Sequence, residues 1–349
     1  MKATALVSRY GLSAVIAALL LTACNSSAST ISPSASSALP VVANTFGSEP
    51  FEAKAAELLS LVEAEQFAAV DSALLQMTQA KTVTRGGSLM APGVVRFMVT
   101  GQGRPEPREQ FLVQLLPKLD KWVAASPNSA YAHAVRGEAY YDYAWVARGN
   151  RYIAKTSQEQ LQGYQERLRM SANEWSKAIA LDPNNPTALL GVIKLGRDIG
   201  APESETAPYF DRAIQQYPHF FQAYQEKSVD LQPKWGGSER AALKFVRESA
   251  ASAPRGTAIP LIVPQMHKEL SYQYPSRQEY YNRKEVWNDI ETNYLRIITD
   301  FPQAGWYPLW YAEAAKEAGK DNIAAQYFEM ARTREPNNPE IADRIQQSQ

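Results

Sequence analysis

The feature that most constrains the fold is a regular spacing of prolines that follow helical patterns. Pro302 and Pro336 are 34 residues apart, and Pro183 and Pro218 are 35 apart. Proline cannot continue a helix, because its nitrogen carries no hydrogen and its ring clashes with the preceding turn. Asn-Asn follows both Pro183 and Pro336 and supports a turn into the next helix. The sequence therefore predicts a chain of repeated helical units.

Residues 305–336 show what one unit contains. Small and aromatic side chains recur at helical spacing on both sides of Gly319, which marks the turn. They are Tyr311, Ala312, Ala315, Ala324, Phe328 and Ala331. The pattern resembles a tetratricopeptide repeat, in which small residues let two helices approach and an aromatic side chain fills the space between them. We therefore predict an all-α fold, an α-solenoid of tetratricopeptide-like helical hairpins.

Weaker helical periodicity covers most of the remaining chain, and no stretch shows the alternation typical of a strand. Residues 85–107, with several glycines and prolines, predict a loop with one short helix. Helices are predicted over residues 50–77 (as a hairpin), 111–125, 129–148, 257–274 and 279–300.

The N-terminus has the pattern of a bacterial lipoprotein. Lys2 and Arg9 accompany an apolar run, residues 11–23, that is shorter than the ~20 residues needed to span a bilayer but suits a signal peptide. The run ends in Leu-Thr-Ala-Cys24, which matches the lipobox. The Cys24 thiol would accept a diacylglyceryl group as a thioether. The alternative is an ordinary secretory signal with a chance cysteine.

These observations predict where the mature chain resides. The signal peptide, residues 1–23, would be removed, and acyl chains on Cys24 would hold the protein at a lipid bilayer. Asn25, rather than an aspartate, favours the outer membrane and a protein facing the periplasm. Residues 24–49 are rich in Ser, Ala and Pro and predict a flexible tether.

Charge and cysteine content exclude several classes of function. The chain has 36 basic and 36 acidic residues, and loss of Lys2 and Arg9 would leave 34 basic against the same 36 acidic. A nucleic-acid partner is not expected, because it requires a basic surface. Since Cys24 is the only cysteine, neither a disulfide within the chain nor a thiolate zinc site can form.

No catalytic or metal-binding pattern is found. The three histidines, His133, His219 and His267, have no zinc-ligand spacing, and no nucleophile elbow or phosphate loop is present. His133 adjoins a predicted packing face and is interpreted as a hydrogen-bonded structural residue. We predict no catalytic residues, no metal and no cofactor.

Three short motifs carry a more specific resemblance. They are Gln66-Phe-Ala-Ala-Val-Asp71, Ala144-Trp-Val-Ala-Arg-Gly149 and Lys234-Trp-Gly-Gly-Ser238. Together they resemble the domain-of-unknown-function 4034 family of bacterial tetratricopeptide-like proteins, from about Phe51 to Ala253. The resemblance implies a helical-repeat fold and no established activity. It divides the body into a degenerate repeat domain, 50–253, and C-terminal tetratricopeptide-like repeats, 254–349.

Five residues of these motifs and their helices are candidates for binding. They are Tyr141, Trp145, Arg148, Lys234 and Trp235. Consecutive aromatics in a helix point about 100° apart, so some of them must lie on a surface or in a groove. The alternative is structural: aromatics fill the space between helices, Arg148 caps its own helix end, and Gly236-Gly237 form a tight turn before a Ser238 cap.

The sequence therefore predicts a lipid-anchored, non-enzymatic scaffold that binds an envelope protein or peptide. The rival is a protein that binds or hydrolyses peptidoglycan or another envelope polysaccharide. A hydrolase would need an acid pair in an aromatic-lined cleft. Glu138 and Asp142 share a helix face near the tyrosines, although a solvated acidic face is the simpler interpretation.

Overall fold

The computed structural model describes residues 49–101, 106–149 and 155–348. Every regular element in these stretches is a helix, and neighbouring helices pack in pairs, which confirms the predicted all-α fold. Cys24, the signal peptide and residues 24–48 of the predicted tether lie outside the described residues. None of the described helices has both the length and the apolar content needed to cross a bilayer.

The described residues form two compact units. The first contains Glu49–Thr82 and Leu89–Tyr217, and the second contains Val83–Ser88 and the chain from Pro218 onward. The domain division predicted at 253/254 rests on the family resemblance and stays a prediction.

The first unit is built from helices that pack on their neighbours in the chain, with α5 at the centre. α5 packs against α2, α3, α4, α6 and α7. The helices are α1 (Glu49–Glu63), α2 (Phe67–Gln79), α3 (Met90–Thr100), α4 (Arg108–Ala125), α5 (Ala130–Arg148), α6 (Gln158–Leu181), α7 (Pro186–Ile199) and α8 (Glu203–Gln216).

Trp175 of α6 is the side chain around which α5, α6 and α7 meet. It is fully buried, and its indole nitrogen donates a hydrogen bond to the Ala134 carbonyl at 3.2 Å. Gly137 and Gly191 provide the space for its ring. A Cβ atom would lie 2.6 Å from the indole at Gly137 and 2.2 Å from it at Gly191. The absence of side chains at these two positions allows the three helices to pack closely.

The second unit contains the predicted repeat hairpin. α14 and α15 meet through Gly319, which has a φ of +70° and so occupies the left-handed region that favours glycine. The six small and aromatic residues predicted for this hairpin are all buried. The helices are α9 (Phe221–Asp230), α10 (Glu239–Ser252), α11 (Ile262–Ser271), α12 (Arg277–Tyr281), α13 (Lys284–Asp300), α14 (Trp306–Glu317), α15 (Asp321–Arg334) and α16 (Pro339–Ser348).

The repeated Pro-Asn-Asn-Pro string starts a helix in both units. The Asn185 side chain accepts a hydrogen bond from the Ala188 amide at 3.0 Å, and Pro186 is the first residue of α7. The Asn338 side chain likewise accepts one from the Ile341 amide at 3.3 Å at the start of α16. The string combines a capping side chain with a proline at the first helical position, where no backbone donor is needed.

The predictions of single helices over 257–274 and 279–300 were wrong. The first segment has a short 3₁₀ turn, Ile259–Leu261, before α11, and α11 already ends at Ser271. The second is divided into α12 and α13, where the Asn282 side chain donates to the carbonyls of Gln278 and Ala318 at 3.0 and 2.8 Å. Side-chain bonds to the backbone compete with helix continuation.

The close approach of α7 to Trp175 can be tested by substitution. Gly191→Ala should lower the free energy of unfolding by about 1–3 kcal/mol, because the added methyl overlaps the buried indole. Urea denaturation of the purified chain measures this. Gly163→Ala in α6 is the matched control, because its methyl would approach only the end of the long Arg167 side chain closely, while Ala147 lies at an ordinary contact distance of 3.6 Å. It should leave stability unchanged or raise it by up to about 1 kcal/mol. Equal losses of stability in Gly191→Ala and Gly163→Ala would contradict the close packing of α7 against Trp175.

Candidate functional site

Two predicted binding residues of α5 come together on one acid. The Tyr141 hydroxyl and the Trp145 indole nitrogen both donate to Asp198 Oδ2 of α7, at 2.8 and 3.1 Å. Arg197 donates to the other oxygen of Asp198 at 3.2 Å, and the Asp198 side chain is fully buried. These contacts link α5 to α7, and they commit the polar atoms of Tyr141 and Trp145 to that link.

Arg148 caps the end of α5, as the structural alternative predicts. Its guanidinium lies 5.0 Å from the centre of the Trp145 ring and donates to the Gly149 carbonyl at 3.2 Å. A cation at a helix C-terminus is stabilised by the carbonyls that remain free there. Arg148 and Trp145 thus lie together at the end of α5, and each is half-buried.

The interpretation of Glu138 and Asp142 as a solvated acidic face was wrong. Both are buried, because basic side chains from distant parts of the chain compensate them. Lys194 of α7 donates to both oxygens of Glu138, at 2.6 and 2.7 Å, while Arg108 of α4 forms a two-pronged bond with Asp142. Arg96 of α3 also lies 3.5 Å from Glu138. The acid pair joins four helices and does not face an open cleft.

His133 has the structural role predicted for it. Its ring is buried, with Nδ1 2.7 Å from Glu174 and Nε2 3.2 Å from the Pro127 carbonyl. Burial alone would raise the pKa of Glu174, but hydrogen bonds from His133 and Arg136 outweigh it and lower that pKa to about 2. Glu174 is therefore ionised at neutral pH and holds α5 against α6.

Lys234 and Trp235 lie in the second unit, in a 3₁₀ turn between α9 and α10. Lys234 forms an exposed salt bridge to Glu269 at 2.9 Å, and Trp235 is half-buried. Gly236 has a φ of +102°, and the Ser238 side chain accepts a hydrogen bond from the Ala241 amide at 3.1 Å. The predicted turn and cap are confirmed. A binding role for Lys234 and Trp235 stays a prediction.

The exposed face of α10 follows this turn and borders a shallow depression open to solvent, called here the α10 trough. All of its lining residues come from this one helix, so the trough is an open face and not an enclosed pocket. Arg240 and Lys244 are exposed along it, and Lys244 is 3.9 Å from Glu248. The lining residues are Glu239, Arg240, Leu243, Lys244, Arg247 and Glu248.

A smaller cleft of about 290 Å³ lies elsewhere in the second unit, among α11, α13, α14 and α16. The Glu313 carboxylate pairs there with Arg344 at 2.7 Å, and Glu317 pairs with Arg277 at 2.6 Å. Burial raises the pKa of Glu313, and the charge of Glu317 adds to this effect, while Arg344 opposes it.

The consecutive aromatic side chains of α14 point in different directions, as helix geometry requires. Trp306, Tyr307 and Tyr311 are buried, whereas Trp310 is half-buried and lines the cleft. The prediction that some of the consecutive aromatics lie in a groove is therefore confirmed for Trp310. The charged residues of the cleft could not be predicted from the sequence, because they come from separate helices and share no local motif.

No group of three or more His, Cys, Asp or Glu side chains suited to a metal ion occurs in the part of the chain that the structure describes. The buried His267 contacts protein groups on both sides. Its Nδ1 is 2.8 Å from the Tyr280 hydroxyl and its Nε2 is 2.9 Å from Asp289.

Comparison with known proteins adds little to this description. No family model and no curated protein matches the chain, so the resemblance to the domain-of-unknown-function 4034 family rests on the three motifs alone. The chain is similar to the crystal structure of PilW, a widely conserved type IV pilus biogenesis factor. The identity is 17%, over 72% of this chain and 97% of that one, with a TM-score of 0.36. A match at that score carries no argument about the function of this chain.

Proposed function

We propose that this protein is a lipid-anchored, non-catalytic scaffold of the bacterial envelope that binds a protein or peptide. The observation that carries the proposal is the open trough along α10, the helix that follows Lys234 and Trp235 in the chain. A trough formed by the face of one helix offers a broad contact area and little enclosure. Small-molecule sites are concave and surround their ligand, whereas protein interfaces have polar, solvent-accessible rims.

The charges of the trough favour a partner with acidic residues. Two of its charged groups are already engaged, since Arg247 pairs with Asp289 at 2.7 Å and Glu239 accepts a bond from Tyr274 at 3.0 Å. Arg240 forms no ion pair with any residue in the described ranges, and Lys244 has only its long contact with Glu248. Complementary charges would guide association and orient the partner.

A non-catalytic role is supported by the way the first unit uses its charged groups. Glu138, Asp142 and Glu174 are each held by basic side chains inside the helical packing. A general acid or base must instead reach a substrate proton.

The lipid anchor and the location rest on the sequence around Cys24. We propose that Cys24 carries the acyl chains and that the helical body faces the periplasm from the outer membrane. Two or more acyl chains provide a far firmer attachment than a single chain, which binds membranes only marginally.

Substitution of Cys24 tests the anchor. Cys24→Ser should abolish incorporation of labelled palmitate and move the protein from the membrane fraction to the soluble fraction, because serine cannot form the thioether. Ser26→Ala, two residues further on, should behave as the unchanged protein. Palmitate labelling that persists in Cys24→Ser would show that the lipobox interpretation is wrong.

A photo-crosslinking amino acid at Leu243 tests the trough in intact cells. It should capture a defined envelope protein, and Arg240→Glu with Lys244→Glu should reduce the yield about tenfold by reversing the local charge. Arg332→Glu, 54% exposed on α15, is the control and should leave the yield unchanged. Two results would contradict a partner at this surface. One is the capture of no protein, and the other is a yield from Arg240→Glu with Lys244→Glu that equals the yield from Arg332→Glu.

A second candidate function is binding or hydrolysis of an envelope polysaccharide. The acids first considered for it, Glu138 and Asp142, are buried in ion pairs and do not support it. The cleft does favour it, because Glu313 and Glu317 line the same space as Trp310. Incubation with purified peptidoglycan sacculi separates the possibilities: release of soluble fragments indicates an enzyme, and co-sedimentation alone indicates binding.

A further inference from the structure

We propose that the cleft among α11, α13, α14 and α16 binds a neutral saccharide unit, held by the Tyr294 hydroxyl, by spare oxygens of Glu313 and Glu317, and by the Trp310 ring. The inference rests on the second candidate function, polysaccharide binding, and names the groups that would hold the sugar; it does not depend on a protein partner at the α10 trough.

Acidic and basic side chains balance each other in the lining of the cleft. Its charged lining residues are two acids, Glu313 and Glu317, and two bases, Lys268 and Arg344. An anionic ligand would approach two carboxylates, and a cationic ligand would approach an ammonium and a guanidinium. Neither sign of ligand charge is favoured, because opposite charges lie within the same small space. A neutral ligand avoids this conflict.

The wall of the cleft contains a tyrosine hydroxyl that has no hydrogen-bond partner among the described residues. Tyr294 lines the cleft and is only 8% exposed. Its hydroxyl forms no hydrogen bond with any residue in the described ranges, although buried tyrosine hydroxyls normally find a partner. A ligand hydroxyl in the cleft would give Tyr294 the partner that the protein does not provide.

Other side chains of the cleft have hydrogen-bond donors and acceptors to offer a ligand. Each arginine pair uses Oε2 of its glutamate, which leaves Oε1 of Glu313 and of Glu317 to accept. Gln265 accepts from Gln225 through Oε1, which leaves its amide NH₂ to donate. A sugar hydroxyl both donates and accepts, so it can bond to groups of either kind.

The Trp310 ring gives the cleft an aromatic surface. Trp310 is half-buried against Trp306 and Tyr307, with ring centres 6.0 and 5.6 Å apart, and it also lines the cleft. Its large, rigid ring provides apolar contact area at little cost in conformational entropy. The C–H face of a sugar ring fits such a surface, while the hydroxyls at its edge reach the polar groups.

Saturation-transfer NMR and calorimetry on the purified full chain test the inference. The probes are the N-acetylglucosamine tetramer and a glucose tetramer, which separate an acetamido-sugar source from a plain hexose source. Binding of either one supports a saccharide site. Binding of neither at millimolar concentration overturns the inference, and so does preferential binding of acidic or basic peptides at the cleft.

Two variants locate the site. Tyr294→Phe should weaken saccharide binding about tenfold by removing one hydrogen bond. It should leave the unfolding transition unchanged, because the hydroxyl has no partner among the described residues. Trp310→Ala should weaken binding at least as much. Tyr143→Phe in the first unit is the matched control and should bind as the unchanged protein. Affinities that stay the same in Tyr294→Phe and Trp310→Ala would overturn the assignment.

Discussion

The buried ion pair between Glu138 and Lys194 is the interaction on which the first unit depends. It joins the middle of α5 to α7, and both side chains are almost completely removed from solvent. Burying a charge costs several kcal/mol unless a partner of opposite charge and further hydrogen bonds compensate it. Lys194 compensates the buried charge of Glu138, because its ammonium group donates to both carboxylate oxygens. Further along α5, Arg108 compensates Asp142 in the same way. Tyr141, Trp145 and Arg197 donate hydrogen bonds to the buried Asp198 of α7. The polar face of α5 thus holds the neighbouring helices together.

The helices and their ends could be predicted from the sequence because their causes are local. The hairpin of α14 and α15 follows from small and aromatic residues at helical spacing around Gly319, and the two Pro-Asn-Asn-Pro strings contain both the capping side chain and the first helical residue. His133 could be interpreted as structural because it adjoins a small-residue packing face. The predicted helix lengths were wrong where a single side chain interrupts the helix, as Asn282 does between α12 and α13.

The environment of the charged residues could not be predicted, because it depends on partners far away in the chain. Glu138 and Asp142 have the spacing of a solvated helix face, and only their pairing with Lys194 and Arg108 makes them part of the interior. The cleft among α11, α13, α14 and α16 has the same origin. Tyr294, Glu313 and Arg344 come from three helices, and no local pattern indicates that they line one space. Among the predicted binding residues, Tyr141 and Trp145 do lie together, on an acid that sequence analysis did not single out.

A double-mutant cycle on Glu138 and Lys194 tests the central claim that this face of α5 is structural. Glu138→Gln and Lys194→Met should each lower the free energy of unfolding by about 3–5 kcal/mol, because each removes one charge of a buried ion pair. The double variant should lose much less than the two single losses together, which gives a coupling energy above about 1 kcal/mol. Single variants within about 0.5 kcal/mol of the unchanged protein, with additive effects, would contradict the account.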